Sequence, residues 1–127
     1  MSEESSLFDR IGGHDKINVL IDRLYERILQ DSLLAPFFAD TPMDKLRAMQ
    51  KEFFSVALGG PVSYSGATLF QAHRGRGIHR DHLSRYTEHL LETLQSEGIG
   101  QQEANDIIAR IATYSPEVLG ESGGVDG

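Results

Sequence analysis

A chain of 127 residues with 39% hydrophobic and 24% charged content is sized for one core-forming domain, expected to span 1–127 with an ordered part from about 6 to 119 and disordered tails at 1–4 and 120–127. A net charge of −7 argues against nucleic acid or an anionic membrane surface as a partner, and no apolar run is long enough to cross a bilayer. The absence of cysteine excludes disulfides, thiolate metal sites and a cysteine nucleophile, and a polar start without a signal pattern fits a reducing cytoplasm.

The periodicity is helical throughout, and no stretch alternates with period two for long enough to make a strand. Ser5 or Ser6 can cap a short first helix through Arg10, which Gly12-Gly13 ends. From His14 to Gln30, Ile17, Leu20, Ile21, Leu24, Tyr25, Ile28 and Leu29 make one apolar face. Asp31 to Asp40 is a corner, because Pro36 precludes a long regular helix, and its Phe37-Phe38 pair must face apolar surroundings. Thr41 as cap and Pro42 at the first helical position start the next helix, which runs to about Leu58, where Gly59-Gly60-Pro61 stops it. Leu46, Met49, Gln50, Phe53, Phe54 and Ala57 form its inward face. A loop from Pro61 to Gly66 contains Tyr64, and a short helix then ends at His73, before Gly75 and Gly77. The last two helices are expected at about Arg80–Gln95 and Gln101–Ser115. The first turns Leu83, Tyr86, Leu90 and Leu94 inward; the second uses Ala104, Ile107, Ile108, Ile111 and Ala112.

Three polar residues stand out. Tyr25 and Gln50 sit where their helical neighbours are apolar, and a buried hydroxyl or carboxamide without a partner costs about 1–3 kcal/mol. They bond each other, a backbone group, water or a ligand. Satisfied core residues are the plain alternative, less easily for glutamine, which is seldom buried. His73, at a helix end before two glycines, can turn one ring nitrogen to a metal while the other donates to a carbonyl; a helix cap is its plain alternative. With Phe37, Phe38, Phe53, Phe54, Leu46, Met49 and Ile78 around them, the three outline an apolar pocket suited to a flat macrocycle with His73 on its iron. Arg74, Arg76, His79 and Arg80 are either a solvated face or a counter-charge for an anionic ligand.

As an ordered set, Leu7-Phe8-Asp9-Arg10-Ile11-Gly12-Gly13, Leu24-Tyr25, Phe37-Phe38, Gln50-Lys51-Glu52-Phe53-Phe54, Leu58-Gly59-Gly60-Pro61, Tyr64-Ser65-Gly66 and Ala72-His73-Arg74-Gly75-Arg76-Gly77-Ile78 resemble the truncated haemoglobins of the first group, over roughly Ser6 to Leu119. The resemblance implies an all-α truncated globin: a two-over-two helical sandwich enclosing non-covalent haem b (iron protoporphyrin IX), with His73 as proximal ligand. It implies Tyr25 as the main distal donor with Gln50 beside it, and Leu46 at the ligand-entry position. Phe38 would stack on haem, Phe53 and Ile78 would line the pocket, and Phe54 would line a gas channel. Thr41, Lys45, Tyr64 and the Arg74/Arg76 pair are candidates for the propionates. Met49, one position before Gln50, is a possible axial ligand, with core filling as the favoured reading. Some relatives bond haem covalently through a histidine on the last helix; none stands there in this chain, and His14, His79, His82 and His89 are expected at the surface. The implied ligands are dioxygen, nitric oxide and carbon monoxide, with nitric oxide dioxygenation fed by an external reductase as the leading function. A six-coordinate redox or sensor protein and simple oxygen binding are the alternatives, and a monomer is expected.

Overall fold

A computed structural model describes residues 6–59 and 78–113. Among them are five α-helices, α1 (Leu7–Ile11), α2 (Gly13–Leu29), α3 (Met43–Ala57), α4 (Arg80–Ser96) and α5 (Gln101–Ala112), with a 3-10 turn at Ala35–Phe38. The expected short helix at His73 lies outside the described residues.

Each boundary has a local cause. Ser6 Oγ accepts from Asp9 N–H at 3.1 Å, so Ser6 caps α1. Gly12, at φ 118°, ends α1 and opens α2 in a single residue, a conformation that side chains rarely adopt. The expectation of Thr41 as cap is corrected: Pro42 holds that position, no side chain caps α3, and the Thr41 N–H donates back to Phe38. The last helix stops at Ala112, short of Ser115, with Thr113 as its cap.

The buried face of α2, Ile17, Leu20, Ile21, Leu24, Tyr25 and Ile28, is the spine of the core. It packs most extensively on α3 and next on α4. Because α4 packs on α5 and α3 meets α5, two helix pairs are stacked, the expected two-over-two arrangement. Leu90 and Leu94 of α4 and Ala104 and Ile107 of α5 complete the core. Three expected core positions lie outside it: Leu29 is 39% and Met49 42% exposed, and Ala112 is exposed. Leu29 and Ala112 each end a helix, where the apolar stripe has run past its partner.

Cationic side chains close helix ends, where backbone carbonyls lack intrahelical partners. Arg110 Nη1 donates to Ala57 O at 3.3 Å, tying α5 to the end of α3. Lys16 Nζ donates to Glu97 O at 3.2 Å, tying α2 to the end of α4. The Phe8 N–H donates to Leu58 O at 2.9 Å, so α1 docks on the same end of α3.

Candidate functional site

Tyr25 is carried to the interior by the α2 spine and is 4% exposed. The Phe38 ring meets it edge-on, centroids 5.7 Å apart at 87°, so the corner after α2 forms one wall around the phenol. Burial pushes the Tyr25 phenol well above its usual range, and Tyr86 nearby adds to the shift. Tyr25 therefore keeps its proton at neutral pH and is a standing hydrogen-bond donor. Tyr86, on the inner side of α4, is also pushed up by burial. Its signal in the sequence was the one that marks Tyr25, a phenol among leucines at helical spacing, yet it was read only as core.

Gln50 is 9% exposed on the inner face of α3. Among the described residues neither the Tyr25 hydroxyl nor the Gln50 carboxamide has a hydrogen-bond partner. Two largely buried polar groups left open, on helices packed against each other, suit a small ligand that can accept from a phenol and an amide. Phe53 and Phe54 stand edge to face at 5.6 Å, both buried, and Leu46 and Phe38 pack half-buried against the core.

The remaining candidates are placed less tightly. Met49 is 42% exposed, which corrects its reading as core filler. Lys45 is exposed, and Thr41 and Ile78 are half-buried. His73, Tyr64, Arg74 and Arg76 lie outside the described residues. Among the described residues no group of three or more His, Asp or Glu side chains could hold a metal ion. The open donors, the apolar walls and the aromatic corner fit the distal side of a haem.

A second constellation went unforeseen. Asp31, just after α2, is buried; its Oδ2 accepts from Arg85 Nε and from His89 Nε2, each at 2.7 Å, and its Oδ1 accepts from Leu33 N–H at 2.8 Å. Those bonds, His89 first and Arg85 next, hold the Asp31 carboxyl well below the usual carboxylate range, while Asp31 raises the Arg85 guanidinium. The expectation of His89 at the surface is corrected: its side chain is 18% exposed, and its Nδ1 is buried without a hydrogen-bond partner among the described residues. His79, by contrast, is exposed, and His82 packs edge-on against Phe37 at 4.7 Å.

The bacterial-like globin family model matches residues 6–119. The chain is 41% identical over 125 residues to the group 1 truncated hemoglobin GlbN of Mycolicibacterium paratuberculosis, covering 98% of this chain and 92% of that one. The truncated hemoglobin of Tetrahymena pyriformis in its Fe(III) form superposes with a TM-score of 0.86 at 27% identity, over 91% of this chain and 99% of that one. A 2/2 hemoglobin from a Synechococcus species, in the cyanomet state and with covalently attached heme, superposes with a TM-score of 0.85 at 26% identity, over 91% and 98%.

Proposed function

The chain belongs to the bacterial-like globin family, among the group 1 truncated haemoglobins, and we propose that it binds dioxygen and other diatomic gases at a five-coordinate haem iron and supports nitric oxide dioxygenation. The observation that carries this reading is the Tyr25–Gln50 pair: two largely buried polar groups without partners among the described residues, on facing helices, the phenol fixed as a donor. When bound, haem supplies the iron for gas binding and electron exchange. Tyr25 donates a hydrogen bond to a diatomic ligand held in the pocket, Gln50 offers a second donor, and their directed dipoles favour a ligand that has drawn electron density from the metal. Phe38, Leu46, Phe53, Phe54 and Ile78 keep the pocket apolar and exclude water. His73 would hold the iron, and Thr41, Lys45, Tyr64 and Arg76 would meet the propionates.

Non-covalent attachment of haem b is favoured by the absence of cysteine and by an α5 without histidine. Nitric oxide, dioxygen and one electron balance to nitrate, and the electron comes from an external reductase, since no flavin or nicotinamide motif is present in the sequence. Mixing the dioxygen-loaded protein with nitric oxide in a stopped-flow instrument is expected to consume both rapidly and to yield nitrate; a slow reaction or no nitrate would sink the proposal. The visible spectrum of the reduced protein without added gas is expected to be five-coordinate. A low-spin six-coordinate spectrum that reverts in Met49→Leu would instead assign an internal thioether ligand.

A further inference from the structure

We propose that Asp22 is a positioning residue for the distal donors, clasping α2 to α3 through Lys51 and Arg47 and so setting how closely Tyr25 and Gln50 approach. The inference rests on the reading of those two residues as donors. Asp22 Oδ1 lies 3.1 Å from Lys51 Nζ and 3.6 Å from Arg47 Nε. On α2, Asp22 precedes Tyr25 by one turn; on α3, Lys51 follows Gln50 directly and Arg47 precedes it by one turn. The clasp thus brackets both donors at the rim of the interface in which they are buried.

Two further features single out this contact. Arg47 is braced from its own helix, its Nη2 at 2.9 Å from Asp44 Oδ1, so its Nε is held toward Asp22. Arg23, next to Asp22 in sequence, is engaged elsewhere, by Glu26 at 3.2 Å and Glu97 at 3.9 Å. Beside the clasp lies a cleft of about 330 Å³ lined by Val19, Asp22, Arg23 and Glu26 of α2 and Arg47 of α3. At this rim, charged pairs bridge the two helices. The side chains of Asp22, Arg47 and Lys51 are 47%, 31% and 28% exposed, so the pairs are screened by salt and contribute little to overall stability. Their leverage is geometric. An O–H···O hydrogen bond is effective only over a few tenths of an ångström and weakens steeply with misalignment, so a small shift between α2 and α3 alters gas retention.

The test uses the haem-loaded protein and two readouts, dioxygen dissociation and the C–O stretching band of the carbon monoxide form. Asp22→Asn is expected to speed dissociation roughly threefold to tenfold, the usual size of coupling between contacting groups, and to broaden or split the C–O band. Asp22→Glu should restore most of both. Raising salt from about 20 mM to 0.5 M should speed dissociation in the native protein and not in Asp22→Asn. Because Asp22 acts through Tyr25, adding Asp22→Asn to Tyr25→Phe should change dissociation no further. If Tyr25→Phe is fast while Asp22→Asn and salt change neither readout, or if the two substitutions add, the clasp is no positioning device. If Tyr25→Phe itself leaves dissociation unchanged, the donor reading falls and the proposal with it. Should Asp22→Asn fail to fold, Lys51→Gln and the salt series in the native protein decide the matter by the same outcomes.

Discussion

The phenol of Tyr25 is 4% exposed and has no hydrogen-bond partner among the described residues. A hydrogen bond to a ligand carrying partial negative charge contributes about 1.5–3 kcal/mol, so Tyr25→Phe is expected to speed dioxygen loss roughly ten- to a hundredfold, read by stopped-flow displacement with carbon monoxide. Both donors were legible in the sequence because a polar residue breaks an apolar stripe visibly at helical spacing. Asp31, Arg85 and His89 were not: 54 and 58 positions separate the partners, and no local pattern announces a contact over such a distance. Asp31 makes its own prediction. Its folded-state titration lies below the unfolded one, so the stability it contributes is complete above about pH 4 and is lost as pH falls toward the depressed folded value. Asp31→Asn should therefore lower the unfolding midpoint at neutral pH and flatten its decline in acid, as followed by circular dichroism across a pH series.

Helix order, types and inward faces were readable because α2, α3, α4 and α5 each carry a sustained 3.6-residue pattern. Caps were less so. Ser6 behaves as its type suggests, whereas Thr41 gives way to Pro42, whose extended backbone starts α3 without a side-chain bond. Within the inward face of α3, Met49 stands between half-buried Leu46 and buried Phe53 yet is 42% exposed, because apolarity at helical spacing marks a stripe but not its rim. Gly59 offers a test of an element junction. It sits at φ 92°, and a Cβ there would meet Ser6 Cβ at 3.2 Å, where α1 docks on the end of α3. Gly59→Ala is expected to destabilise the protein by about 1–3 kcal/mol, measurable by urea unfolding, through backbone strain and displacement of Ser6 together.

In the molecule as a whole, the stacked pairs share one core, and α2 is the member that touches most of the others. Leu24, fully buried in its middle, has no room to be replaced cheaply: Leu24→Ala should cost about 2–5 kcal/mol, and haem uptake should weaken with it, since the same spine carries Tyr25. α1 is small, but Leu7, Phe8 and Ile11 are all buried, and it contacts both α2 and α5. That last contact constrains the molecule in time as well as in space. Along the chain α1 comes before α2 and α3, yet part of the surface that receives it, on α5, is made after both. α1 can dock on α2 and on the end of α3 before α5 exists, but its meeting with α5 waits for the last of the described helices. A permuted chain that joins α5 to α1 and opens elsewhere would make that meeting local, and would be expected to fold faster into the same structure.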